Sequence, residues 1–102
     1  MKIEWTEPAL LDLESIRDYI GHNSEYYATR FIGRIIEAAE SLERFPERGR
    51  HVPEAGDENI RELLFYNYRI MYRIEKDRIL ILTVIHGSRD LSQKELKPWD
   101  IV

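Results

Sequence analysis

Arg50, Arg61, Arg69, Arg73 and Arg89, with His86 close to the last, are the residues of this chain whose types and spacing could do chemistry. Guanidinium groups grip phosphate oxygens two at a time and stabilise charge gathering on a pentavalent phosphorus, which suits RNA cleavage through the 2′-hydroxyl. A histidine titrating near neutrality, or a carboxylate such as Glu54, can move the protons that such a reaction needs. The same arginines also fit an ordinary role as strand-face residues paired with Glu62, Asp90 or a protein partner, where exposed ion pairs contribute little. Tyr66, Tyr68 and Tyr72 suit base stacking, and equally the half-buried pleated surface on which tyrosines are common.

Other chemistries are missing from the sequence. There is no cysteine, hence no disulfide or thiolate, and there is no glycine-rich phosphate loop or convincing carboxylate pair. His22, His51 and His86 lie far apart without zinc-type spacing, so neither a metal nor any other cofactor is expected. A length of 102 residues fits one domain spanning 1–102. No stretch approaches the run of about 20 apolar residues that a membrane span needs, and no secretory signal pattern opens the chain, so a cytoplasmic protein without membrane contact is expected.

The net charge of −4 argues against general affinity for nucleic acid, but it is unevenly spread. Residues 1–59 sum to −6, whereas residues 60–90 sum to +2. A modest positive face on an acidic body would follow if the later residues share a sheet.

The elements that must position these groups can be read from periodicity. Lys2-Ile3-Glu4-Trp5 alternates as a short strand does. Thr6 offers an N-cap, with Glu7 and Pro8 in the first turn, and Ala9, Leu13, Ile16 and Ile20 form one helical face ended by Gly21. Ser24 caps a second helix burying Ala28, Phe31, Ile32, Ile35, Ala39 and Leu42, which Phe45-Pro46 ends. So short a connection predicts an antiparallel helical hairpin. Residues 46–59, rich in proline and glycine, predict a long loop.

From Ile60 the period changes to two. Arg61, Leu63 and Phe65 are expected on one strand face, with Ile60, Glu62, Leu64 and Tyr66 on the other, and Asn67 at a hairpin turn as the residue tolerating positive φ. The next strand sets Tyr68, Ile70, Tyr72 and Ile74 against Arg69, Met71 and Arg73. Glu75–Arg78 turns the chain again into Ile79–Ile85, apolar on both sides and therefore expected inside its sheet. One side of that strand can meet the helices; the other is expected to lack cover until a partner supplies it. The fold class is α+β: an N-terminal strand and a helical hairpin packed on one face of a small antiparallel sheet.

An ordered set of motifs carries a resemblance over nearly the whole chain. It comprises Ile3-Glu4-Trp5, Asp12 with Tyr19-Ile20, Ala28-x-x-Phe31-x-x-x-Ile35, and Leu42-x-x-Phe45-Pro46-x-x-Gly49-Arg50. Val52-Pro53-Glu54, Arg61-Glu62-Leu63, Tyr68-Arg69-Ile70-x-Tyr72-Arg73 and His86-Gly87-x-Arg89-Asp90-Leu91 follow. Together they resemble the RelE/ParE superfamily, the toxins of type II toxin–antitoxin systems. The resemblance implies the same α+β fold, and a cognate antitoxin that wraps the toxin with an extended or helical tail in a hetero-oligomer.

The superfamily divides by activity. Ribosome-dependent mRNA interferases of the RelE branch resemble this chain at Tyr68-Arg69 and Gly87-x-Arg89, and that branch would make Arg69, Arg89 and His86 catalytic, with the ribosome and mRNA as partners. They usually carry lysines where this chain has Ile60-Arg61-Glu62, and a tyrosine where it has Ser92-Gln93-Lys94-Glu95. Gly49-Arg50, Val52-Pro53-Glu54 and the His86 to Leu91 run look more like the ParE branch, which poisons DNA gyrase by binding. That branch is the favoured expectation, with Arg50, Glu54, Arg61, Tyr72, Arg73 and Trp99 as binding residues. Trp99 in the Ser92–Val102 segment is expected either to anchor the target or to pack back on the sheet. A third possibility is a relative that binds its antitoxin and little else.

Overall fold

The computed structural model describes residues 1–92 and 96–100. Its elements run β1 (Lys2–Trp5), α1 (Glu7–Gly21), α2 (Glu25–Glu40), a short 3-10 turn (Ser41–Glu43), β2 (Arg50–His51), β3 (Ile60–Phe65), β4 (Tyr68–Ile74) and β5 (Arg78–His86). They build the expected α+β architecture, in which two helices lie against one face of a five-stranded sheet ordered β1-β5-β4-β3-β2. All neighbouring strands are antiparallel except β1, which runs parallel to β5 and closes that edge through Lys2↔Arg78 to Trp5↔Ile81.

Both helix starts are capped as their sequences dictate. The Ala9 amide donates to the Thr6 hydroxyl oxygen at 3.3 Å and the Tyr27 amide to that of Ser24 at 3.1 Å. Thr6 does more than cap, because its own hydroxyl donates to the Ile81 carbonyl at 2.8 Å and ties the start of α1 to β5. Ala9, Leu13 and Ile16 of α1 and Phe31, Ile35 and Ala39 of α2 are buried against Ile70, Tyr72, Ile79, Ile81 and Val84 of the sheet. Each large aliphatic side chain taken out of water in this way contributes about 1.5–3 kcal/mol before entropy is counted.

Strand faces divide as the alternation predicts. Arg61, Leu63 and Phe65 oppose Tyr72, Ile70 and Tyr68 across the β3–β4 ladder, and Ile60, Glu62 and Leu64 oppose Arg73, Met71 and Arg69. β5 lies between β1 and β4, as its apolar composition requires.

Three details differ from expectation. The far face of β5 is not left open. Leu80, Leu82 and Ile85 pack with Val52, Ile60, Met71 and Leu91 in a second buried cluster, with Ala55 and Trp99 against it. The loop of residues 46–59 and the C-terminal segment fold back over the sheet and supply the cover within the chain. That loop is not wholly irregular either, since Arg50 and His51 pair with Glu62 and Arg61 as a sheet edge. Finally, the residue of the β3–β4 turn at positive φ is Tyr66, at 52°, rather than Asn67. A bulky residue there costs about 1–2 kcal/mol, and contacts of its ring offset that cost: an edge-on approach to Phe65 at 4.8 Å and a tilted one to Phe31 at 5.7 Å.

Candidate functional site

The groups singled out by type gather around the end of the β3–β4 hairpin and the adjoining end of β5. Their placement starts with an irregularity. Met71 pairs with Thr83 but Tyr72 pairs with Ile81, so Leu82 is an extra residue in β5. The bulge turns Thr83 and the Val84 amide toward α1, where the Asp12 carboxylate accepts from the Thr83 hydroxyl and, at 3.0 Å, from Val84 N–H. Asp12 thus ties α1 to the half of β5 that ends in His86.

His86 opposes Tyr68, their rings meeting edge to face at 5.6 Å, and the next amide, Gly87 N–H, donates to the Asn67 carbonyl at 2.6 Å. Ser88 N–H donates to His86 Nδ1 at 3.2 Å and the Ser88 hydroxyl lies 2.7 Å from the same nitrogen. Nδ1 is therefore an acceptor, and the neutral ring carries its proton on Nε2. The imidazole stands between two clefts. One, of about 570 Å³, is lined by Asp12, Ser15, Tyr19, Tyr68, His86 and Arg89. Burial raises the Tyr68 phenol's pKa, with the nearby Tyr19 adding to the effect. The Arg89 side chain is exposed and makes no hydrogen bond or ion pair among the described residues.

The other cleft, of about 560 Å³, is lined by Arg50, Glu54, Tyr66, Arg69, His86 and Ser88. Its floor is an ion lattice. Arg69 is 7% exposed and donates through Nη1 and Nη2 to the two Glu54 oxygens at 3.1 and 2.9 Å, and through Nε to Glu62 at 2.5 Å. Glu62 is wholly buried and also accepts from Arg50 Nε at 2.7 Å. Two arginines and two glutamates thus neutralise each other across β2, β3, β4 and the loop. The hydrogen bonds from Arg69 hold the Glu54 carboxyl below its usual range, and Glu54 in turn raises Arg69.

The remaining predicted residues lie elsewhere. Tyr72 is fully buried on the helix face; its hydroxyl donates to the Pro46 carbonyl at 2.8 Å and accepts from Gly49 N–H at 2.9 Å, and burial raises its pKa. Gly49 can be nothing larger without movement, since a Cβ there would stand 2.6 Å from both the Glu62 carbonyl oxygen and the Tyr72 hydroxyl. Arg61 donates through Nη1 to the Gly49 and Glu47 carbonyls at 2.8 and 3.3 Å, pinning the same loop. Arg73 pairs with Glu75 at 2.8 Å and reaches the Trp99 carbonyl at 3.5 Å. Trp99 is half-buried against the second cluster, while Gln93, Lys94, Glu95, Ile101 and Val102 of the expected C-terminal contact segment lie outside the described residues.

The structure therefore brings together Arg50, Glu54, Arg69, His86 and Arg89 and sets Arg61, Tyr72, Arg73 and Trp99 apart from them. Asp12 was the positioning residue that residue-type reasoning passed over. Its signal was an acid at the third position after Ala9 and the fourth before Ile16, on the helix face that meets the sheet.

Residues 3–91 match the sequence profile of the ParE toxin of the type II toxin–antitoxin system parDE. The chain belongs to that family. Toxin RelE2 of Caulobacter vibrioides is 38% identical to this ParE-family chain over 89 residues, which cover 86% of the chain and 97% of the relative. The Y4kP protein of Sinorhizobium fredii is 35% identical over 94 residues, covering 90% and 94%. A solved chromosomal ParDE system from P. aeruginosa contains a chain of the same fold, with a TM-score of 0.72, 24% identity, and coverage of 84% of this chain and 95% of that one. A chain of the RelBE2 complex from Mycobacterium tuberculosis matches with a TM-score of 0.61, 24% identity and coverage of 83% and 95%. The protein is a type II toxin of the RelE/ParE superfamily. Among the described residues no helix is long and apolar enough to cross a membrane.

Proposed function

We propose that this ParE-family toxin acts by binding rather than by cutting RNA, that DNA gyrase is its target, and that a cognate antitoxin neutralises it. The observation that carries this reading is the state of Arg69. A guanidinium that gives Nε to Glu62 and both terminal nitrogens to Glu54 has few donors left for a phosphate in flight. The family profile and the acidic net charge of −4 point the same way. An antitoxin tail need not fill the far sheet face, which the chain covers itself. The exposed Leu10, Leu11, Tyr26 and Tyr27 of the helical hairpin offer it apolar surface instead.

One observation favours RNA cleavage as the second reading. Glu54, Arg69 and His86 line a single cleft, which sets a carboxylate, a cation and an imidazole where proton transfer and charge stabilisation could meet. A supercoiling and cleavage assay with purified gyrase separates the two. Inhibition or trapped double-strand breaks, relieved by the antitoxin, are expected. Unimpaired gyrase at large toxin excess, with cleavage of ribosome-bound mRNA, would overturn the proposal in favour of the second reading.

A further inference from the structure

Glu54 holds Arg69 in a manner that points to a function of its own. Its carboxylate takes both terminal nitrogens of a buried guanidinium, yet its own side chain is 35% exposed and sits on a loop rather than on a strand. Arg69 does not depend on it for burial, because Glu62, with no exposed surface, already balances the charge through Nε. Arg50 approaches from the sheet edge with Nε on Glu62, and its Nη1 and Nη2 make no hydrogen bond among the described residues. Arg50 also contributes to lowering the Glu54 pKa, so its charge is felt at that carboxylate.

We propose that Arg50 and Arg69 form a latent site for one phosphate group, and that Glu54 is its resident intramolecular competitor. Remove the Glu54 carboxylate and both terminal nitrogens of Arg69 are released into a cleft of about 560 Å³ that Arg50 also lines. A planar carboxylate has two oxygens to offer them, whereas a phosphate offers three or more and spans two guanidinium groups. The rest of the cleft is lined by Tyr66, His86 and Ser88, which leaves polar groups beside the phosphate for the remainder of a nucleotide. The loop bearing Glu54 thus acts as a charge-matched plug. It keeps an acidic protein from collecting stray phosphates and yields only when Glu54 is drawn away. This inference concerns occupancy of the arginine pair and does not depend on which cellular target the toxin has.

The test is calorimetric titration of the full-length chain and its Glu54→Gln variant with inorganic phosphate, with adenosine 5′-monophosphate as a second arm. Glu54→Gln leaves the Arg69–Glu62 and Arg50–Glu62 pairs in place, and its fold is checked by circular dichroism before titration. Affinity for phosphate is expected to rise by about tenfold or more in the variant, the range a charge-assisted pair commands. Adding Arg50→Ala to Glu54→Gln is expected to remove the gain. A larger gain for the nucleotide than for inorganic phosphate assigns the site to a nucleotide phosphate, and equal gains assign it to free phosphate; either supports the site. Equal affinities in parent and Glu54→Gln, or a gain that survives Arg50→Ala, would overturn it.

Discussion

Replacing Arg69 with alanine should be a folding mutation before it is anything else. Arg69 is 7% exposed and binds both Glu62 and Glu54, while Glu62 has no exposure at all. Alanine leaves the Glu62 carboxylate in the interior with Arg50 alone, and Arg50 has a side chain 59% exposed and gives Glu62 one bond. Removing one partner of a buried pair costs about 3–5 kcal/mol, because the uncompensated charge stays behind. The half-exposed Glu54 adds little to this, since water takes over from Arg69 there. Taking about 3 kcal/mol, a domain of this size should lose on the order of 12 °C or more in Tm. Urea denaturation followed by circular dichroism reads the cost directly. Arg89→Ala is the matched control: an exposed arginine whose loss should stay within about 0.5 kcal/mol. A cost below about 1 kcal/mol for Arg69→Ala would refute the lattice as described. Loss of toxicity in Arg69→Ala therefore says nothing of chemistry until stability has been measured, whereas loss in Arg89→Ala does.

Further consequences follow from the same geometry. Glu54 has a folded pKa below its ordinary value of 4.5, so the stability it contributes is present above about that pH and is lost as pH falls through the lower, folded pKa. Glu54→Gln should accordingly be less stable than the parent at neutral pH, with the gap closing in acid-denaturation curves below about pH 4.5; parallel curves would contradict the pairing. Gly49→Ala puts a Cβ 2.6 Å from the Glu62 carbonyl oxygen and should cost about 1–3 kcal/mol in the same urea experiment, so a neutral substitution would show the Pro46–Gly49 turn to be movable. Asp12→Ala strands the Val84 amide and should cost about 1–3 kcal/mol while shifting the His86 ring resonances in NMR spectra. Unmoved resonances would mean that α1 does not position the end of β5.

Much of the scaffold was legible in the sequence because local rules and tertiary packing agree there. Thr6 and Ser24 cap, Ala9, Leu13 and Ile16 face inward, and the two-residue period from Ile60 sorts the strand faces as the ladder does. What was not legible depends on contacts between residues far apart. The cover over Leu80 and Leu82 comes from Val52 and Leu91, which no periodicity links to β5. Positive φ at Tyr66 contradicts residue preference and is sustained by Phe31 and Phe65. At the candidate site the residue types were right and their employment was not visible: Arg61 and Tyr72 bind loop carbonyls, and the Arg69 fork closes on a glutamate that lies 15 positions away in the chain.

That distinction bears on how activity can be inferred in this family. A residue that neutralises a buried carboxylate is required by any member keeping that carboxylate, whatever the member attacks. Arg69 therefore reports on the fold of this chain, and motif likeness at Tyr68-Arg69 weighs equally for a gyrase poison and for a ribonuclease. Information about the target must reside in side chains that the fold does not consume. The Arg89 side chain makes no bond among the described residues, His86 has its Nε2 directed away from its Ser88 contact, and Tyr19 and Tyr66 expose most of their rings at the rims of the two clefts. Substitutions there can change target engagement at little cost in stability, so an Arg89→Ala, Tyr19→Ala or Tyr66→Ala variant that folds like its parent and loses toxicity locates the working face. Tyr66→Ala carries an added check, because it also removes the ring contacts that sustain positive φ and should be the least stable of the three.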